Sequence, residues 1–270
     1  MKILLNNFDL NEALKNVKNL GFVPTMGSLH NGHISLIKKS KNHCSKTIVS
    51  IFVNPAQFNN KKDFIKYPRN YKKDIFILKK LKVDFVYIPQ KNDVYNSTKK
   101  FKFNLNKKDS ILCAKFRKGH FEGVIKVMDR LTSLIKPKEI FMGEKDFQQL
   151  HLVKRYIEKK FSSKIISCKT IRDKNGMALS SRNLLLNKKE LDLAGKVIQN
   201  LIIFKKKLKD KAKIRKLITS KKKELSKLFN IYIEYLELKN KINLKNSNNV
   251  KNSKIFLAYY LRKVRLIDNI

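Results

Sequence analysis

Pro24-Thr25-Met26-Gly27-Ser28-Leu29-His30-Asn31-Gly32-His33 follows directly on a short apolar run, Gly21 to Val23, and sets two histidines three residues apart around a glycine. An apolar run that ends in a glycine-containing turn and then opens an amphipathic segment predicts a strand, a turn and a helix beginning near His33. Glycine lets the backbone approach a phosphate, and the helix aims the positive end of its dipole at the same place. Two imidazoles there supply donors that follow charge as it moves from an alpha-phosphate onto departing pyrophosphate. The turn reads as an ATP site. Two surface histidines in a polar turn is the reading these residues alone leave open.

Outward from this turn, the first two thirds of the chain alternates short apolar runs with amphipathic segments, the pattern of beta-alpha units around a parallel sheet. Strands are expected at 21–25, 47–53, 84–88, 139–142 and 164–168, and helices at 9–20, 33–41, 71–80, 121–134 and 146–160. Ligands of such sheets gather beyond the carboxyl ends of the strands. From about Lys188 the texture changes to lysine-rich helical stretches at 188–208 and 211–229, then strands at 231–238, 255–261 and 264–267, with a loop over 240–253. The fold class expected is therefore α/β, a Rossmann-like parallel sheet domain over 1–177 followed by a smaller α+β domain over 178–270. The lysine runs at 205–207 and 221–223 read as solvated helix faces.

A chain of 270 residues can bury a core of this size. No apolar run approaches the roughly 20 residues of a membrane span, and the opening residues are too short an apolar stretch for a secretory signal. A soluble, cytoplasmic protein is expected. Cys44, Cys113 and Cys168 are odd in number and far apart, so they read as reduced thiols. The formal charge of +41 would ordinarily point to nucleic acid. Here the excess is nearly all lysine, is spread along the whole chain, and travels with asparagine, isoleucine and phenylalanine, all encoded by A- and T-rich codons. It is attributed to genome composition, and no specific nucleic-acid partner or membrane is expected.

Further along stand Phe52-Val53-Asn54-Pro55-Ala56-Gln57-Phe58, Tyr67-Pro68-Arg69, Gly119-His120-Phe121-Glu122-Gly123-Val124, Gly143-Glu144-Lys145-Asp146-Phe147-Gln148-Gln149-Leu150 and Leu179-Ser180-Ser181-Arg182-Asn183. In that order, and with Arg265-Leu266-Ile267-Asp268-Asn269-Ile270 at the far end, they resemble the pantothenate synthetase (pantoate-beta-alanine ligase) family. Two positions depart from the family's usual pattern: Lys118, where proline is common, and Met142, where phenylalanine is frequent. Neither removes a group the chemistry needs.

The resemblance implies an AMP-forming ligase of the nucleotidyltransferase fold. The carboxylate of pantoate attacks the alpha-phosphorus of ATP, giving pantoyl adenylate and pyrophosphate, and the amine of beta-alanine then displaces AMP. It implies His33 as proton donor with His30 beside it, and Lys145 and Arg182 as the other catalytic groups. The nucleotide would be lined by Met26, Gly27, Ser28, Leu29, His30, Asn31, Gly32 and His33, by Gly143, Glu144, Lys145 and Asp146, and by Ile171, Leu179, Ser180, Ser181 and Arg182. Gln57 and Gln149 would hold pantoate, Gln57 also matching a position associated with beta-alanine. Met26, Phe52 and Phe58 read either as walls for the gem-dimethyl part or as ordinary core. Magnesium would arrive on the phosphates of ATP, since no carboxylate cluster demands a metal. A homodimer is implied as well, together with a second domain that closes over the nucleotide from a hinge near Ser180-Ser181-Arg182.

The residues themselves support part of this. A cation and helix-start amides at Lys145 suit phosphate, as do the hydroxyls and forked guanidinium of Ser180, Ser181 and Arg182. The plainer alternatives are a surface lysine and serines that cap a helix. His120 reads equally as structural. Two other functions compete. Another adenylyltransferase of the same fold would share the histidine turn but lack Asn54-Pro55-Ala56-Gln57-Phe58 and Phe147-Gln148-Gln149. A basic nucleic-acid-binding protein without catalysis predicts decay at His33, Lys145 or Arg182, and none is visible.

Overall fold

Thr47 to Ile51 is buried at every residue, as a strand covered on both faces must be. It lies in the first of two units, Met1–Thr170 and Ile171–Ile270. A computed structural model describes residues 1–96, 101–209 and 213–270. In chain order the first unit has β1 (Lys2–Leu4), α1 (Asn7–Leu14), β2 (Leu20–Thr25), α2 (Asn31–His43), β3 (Lys46–Ile51), α3 (Lys61–Lys66), α4 (Tyr71–Lys80), β4 (Phe85–Tyr87), α5 (Lys91–Tyr95), α6 (Cys113–Phe116), α7 (His120–Ile135), β5 (Glu139–Gly143), α8 (Phe147–Lys160) and β6 (Lys164–Cys168).

The sheet order is β1-β4-β3-β2-β5-β6, with every pairing parallel. From β2 the chain steps outward through β3 and β4, then returns to the other side of β2 for β5 and β6. Strand order therefore reverses between β2 and β5, and the loops leaving their carboxyl ends diverge into a crevice. Ile37 from α2 and Leu78 from α4 close over Val23, Val49, Val86 and Phe141 of the sheet. Helix α7 buries Phe121, Val124, Ile125, Met128, Leu131 and Ile135, one stripe at spacings of three and four.

Several boundaries differ from the sequence expectation. The helix expected over 9–20 ends at Leu14, because Asn19 takes a positive φ of 51° and Leu20 already belongs to β2. β1 was not foreseen, since three residues are too few to show alternation. Strand β3 stops at Ile51, short of the expected 53, and α2 begins two residues before His33. All three cysteines are buried and none is in a disulfide. Among the described residues no helix is long and apolar enough to cross a membrane.

The second unit comprises α9 (Lys188–Lys207), α10 (Ile214–Phe229) and an antiparallel sheet ordered β7-β8-β9, with β7 (Tyr232–Asn240), β8 (Ser253–Leu261) and β9 (Val264–Asn269). The expected start of the second helix at Lys211 lies outside the described residues. The ends of the expected loop 240–253 belong to β7 and β8. Its core joins Val197, Ile198 and Leu201 of α9 to Leu225, Ile255 and Leu257. Both lysine runs turn partly inward, contrary to the expectation of solvated faces. Lys205 follows Val197 and Leu201 round the inner face of α9 and donates to the backbone oxygens of Ser253 (3.2 Å) and Ile270 (2.8 Å). Lys221 is buried beside Ile218 and Leu225, paired with Glu224 at 2.6 Å and lying over the Phe204 ring. A lysine stem is apolar enough to join a core when its ammonium finds partners.

The far-end motif also acquires a structural role. Arg172 sets both guanidinium nitrogens on the carboxylate of buried Asp268, each at 2.8 Å. A bridge between Arg172 and Ala178 folds this segment back on itself within the same unit.

Candidate active site

The turn after β2 is held by hydrogen bonds to its own backbone. The Thr25 hydroxyl donates to the Ser50 carbonyl at 2.7 Å and accepts the Gly27 N–H at 3.1 Å. Gly27 has a φ of 78°, and a Cβ there would lie 2.9 Å from Asp74 Oδ2 and 3.0 Å from Ile51 Cγ2, so both conformation and space demand glycine. Asp74, buried in the first turn of α4, accepts the N–H groups of Ser28 (2.8 Å) and Leu29 (2.7 Å). Burial pushes its carboxyl up, opposed by these two donors. Sequence reasoning missed Asp74. A single acid in a lysine-rich helix gives no sign of which way it points.

His30 caps α2. Its Nδ1 accepts the Gly32 N–H at 3.1 Å, while Nδ1 of His33 accepts the His30 N–H at 3.3 Å, and the ring centroids are 4.1 Å apart. Both Nδ1 atoms are thus acceptors, which places each ring's proton on Nε2 and leaves each imidazole a neutral donor. Protonation would break both caps. Burial, then the Lys145 charge, pushes His30 down to about 4, with Asp146 opposing. Burial, then His30, pushes His33 down to about 3, with Asp146 opposing and Lys145 assisting.

Folded-state values below the ordinary 6.5 mean that the unfolded chain binds more protons between that pH and about 4 for His30, or about 3 for His33. These groups leave stability flat above pH 6.5 and lower it as the solution is acidified through that window. Ring nitrogen NMR from pH 8 to 5 is expected to show both rings neutral throughout with the proton on Nε2. A ring of this pair titrating near 6.5 would contradict the arrangement.

Lys145 enters from the neighbouring strand. β5 ends at Gly143, a single turn carries Glu144–Asp146, and α8 follows. The Lys145 side chain is 18% exposed, with Nζ 3.5 Å from Asp146 Oδ1. Glu144 accepts the Ser167 hydroxyl at 2.8 Å. Gly143 has a φ of −79° and open space about it, so nothing in its geometry demands glycine. On α8, Gln148 is buried and donates to the carbonyls of Asp109 (3.1 Å) and Ile111 (2.8 Å), while Gln149 is half-buried. Among the described residues no three histidine, cysteine or acidic side chains converge to hold a metal.

Beyond β3, Asn54 caps the turn Pro55–Gln57. Gln57 Nε2 donates to the Met26 sulfur at 2.9 Å, which brings together two residues read separately from the sequence. His120 donates from Nδ1 to the Gln57 carbonyl at 2.7 Å and accepts from Arg117 at Nε2, 2.9 Å away; Arg117 also donates to that carbonyl at 3.2 Å. His120 thus braces the Gln57 backbone. Phe52 is buried, whereas Phe58 packs on Phe64 and Tyr67, with ring centroids at 5.3 and 5.6 Å.

In the second unit, Ser180 accepts the Arg182 N–H at 3.3 Å and caps the short turn Ser181–Leu185, with Ser181 buried. Ile171 accepts the Leu179 N–H at 3.0 Å.

A parallel α/β sheet whose reversal point carries a neutral histidine pair at a helix start, with a lysine from the adjoining strand, defines a nucleotide-binding protein of the Rossmann-like nucleotidyltransferase class. The chain belongs to the pantoate-beta-alanine ligase family, whose model matches residues 3–270. It is 40% identical over 261 residues to the pantothenate synthetase of Francisella tularensis subsp. novicida (strain U112), covering 96% of this chain and 91% of that protein. Among solved structures, the pantothenate synthetase of Thermus thermophilus superposes with a TM-score of 0.90 at 28% identity, covering 100% of this chain and 99% of that one. The pantoate-beta-alanine ligase of Francisella tularensis, complexed with beta-gamma ATP and beta-alanine, gives 0.86 at 36% identity, covering 100% and 97%.

Proposed function

We propose that the protein condenses pantoate with beta-alanine at the expense of ATP, giving pantothenate, AMP and pyrophosphate through pantoyl adenylate. The observation that carries this reading is the imidazole pair at the start of α2, where strand order reverses, with both Nδ1 atoms engaged as acceptors and the Lys145 charge close enough to act on His30. A carboxylate oxygen of pantoate bonds to the alpha-phosphorus as the bridging oxygen leaves with pyrophosphate. His30, His33 and Lys145 meet the charge that develops on the departing phosphates. The beta-alanine nitrogen then bonds to the acyl carbon, and AMP leaves with the electrons of the C–O bond. Neither half requires a covalent enzyme intermediate, so rate comes from alignment and charge stabilisation.

Gln57 and Gln149 hold pantoate through its hydroxyl and carboxylate oxygens. Ser180, Ser181 and Arg182 form a second phosphate clamp. Magnesium would enter with ATP and neutralise phosphate charge. A cytoplasmic homodimer completes the reading and rests on the family resemblance.

The deciding assay follows AMP and pyrophosphate release by the purified protein with ATP and pantoate, with and without beta-alanine. Pantothenate formed only with both substrates is the expected result. A folded protein that binds ATP but turns over neither substrate would overturn the reading in favour of another carboxylate or a non-catalytic scaffold.

A further inference from the structure

Asn54 is 1% exposed and its amide is fully engaged. Oδ1 accepts the Tyr95 hydroxyl at 2.6 Å and the Ala56 N–H at 3.1 Å, while Nδ2 donates to the Gly123 carbonyl at 3.2 Å and to Gln57 Oε1 at 3.0 Å. The amide cannot turn over, because its NH2 would then face the Ala56 N–H. Gln57 is accordingly held by its oxygen, and its Nε2 end is the one directed toward Met26. Its contact there is a thioether, a weak acceptor that an oxygen ligand outcompetes.

We propose that Tyr95 is a positioning residue for pantoate, acting through Asn54 to present the donor end of Gln57 to the substrate's oxygens. The proposal rests on the ligase reading. Tyr95 comes from the short helix α5, remote in sequence from the motifs around the crevice, and its hydroxyl makes the shortest contact of the relay. Its ring meets Phe52, with centroids 6.2 Å apart, and Lys126 Nζ, 5.0 Å from the ring centre. Those contacts survive Tyr95→Phe, so that variant removes the hydroxyl alone. One lost hydrogen bond of this kind corresponds to about a fivefold effect.

The test compares wild type, Tyr95→Phe, Gln57→Ala and the double variant in the full chain, varying pantoate at saturating Mg-ATP and beta-alanine, then varying ATP. The slope kcat/KM needs no saturation, so weak variants remain measurable. Tyr95→Phe is expected to lower kcat/KM for pantoate about fivefold, to leave KM for ATP within about twofold, and to have no further effect once Gln57 is alanine. An unchanged slope for pantoate would overturn the relay. So would an equal loss with and without Gln57, which would reduce Tyr95 to packing. No turnover by the wild type would refute the ligase reading itself, and the relay with it.

Discussion

His33→Ala is expected to lower kcat by about 10²-fold to 10³-fold, the usual cost of deleting one preorganised donor to a developing oxyanion. The ring does two jobs that chemistry can separate. Nδ1 accepts the His30 N–H at 3.3 Å and so holds the start of α2, while in the proposed mechanism Nε2–H addresses the phosphates. An asparagine oxygen can stand in for Nδ1, and a glutamine amide reaches toward the place of Nε2. His33→Asn should therefore melt close to wild type yet be nearly inactive, while His33→Gln should retain more activity at some cost in stability. Loss of the cap alone is worth about 1 kcal/mol. Melting curves and single-turnover rates of adenylate formation separate the two; equal, wild-type-like rates in both variants would remove His33 from the mechanism.

The second large effect is expected at Gly123→Ala. A Cβ there would stand 2.1 Å from the Ala56 carbonyl oxygen, 2.5 Å from its carbon and 2.9 Å from the Gln57 nitrogen. These are backbone atoms, and no flexible side chain can swing aside. Either α7 or the turn Pro55–Gln57 has to move, costing about 1–3 kcal/mol and several degrees of melting temperature. The displaced turn carries Gln57 with it, so kcat/KM for pantoate should fall at least about tenfold, since misplacement of about 1 Å can cost more than that. ATP binding, which the proposed mechanism assigns to the turn after β2, should be kept. Calorimetric melting together with ATP titration checks this, and wild-type values in both pantoate kinetics and melting would show that the two backbones are not in this contact.

The local parts of this architecture were open to sequence reading. Leu20–Thr25 and the glycine turn after it announce themselves by composition and spacing, and the crevice follows once β2 and β5 are neighbours. What stayed hidden depends on partners far along the chain. Asp74 matters because of Leu29, 45 residues away, and Tyr95 because of Asn54, 41 residues away. The end of α1 at Leu14 was hidden for another reason: Asn19 reverses the chain, while Leu20 continues an apolar pattern that a longer helix would also show. Lys205 and Lys221 look like their solvated neighbours in sequence, and only the phase of α9 and α10 against their sheet turns them inward.

The turn after β2 keeps its backbone donors for itself. The N–H groups of Gly27, Ser28, Leu29, His30 and Gly32 are bonded to Thr25, Asp74, His33 and His30. A loop that grips phosphate with main-chain amides cannot be disarmed without being rebuilt. In the proposed mechanism the grip falls to imidazoles and cations, and because the Nδ1 atoms of His30 and His33 also hold the start of α2, only the far ends of those rings separate affinity for the triphosphate from integrity of the scaffold. On that reading, a substitution confined to a side-chain tip is expected to weaken ATP binding while leaving the turn beneath it folded.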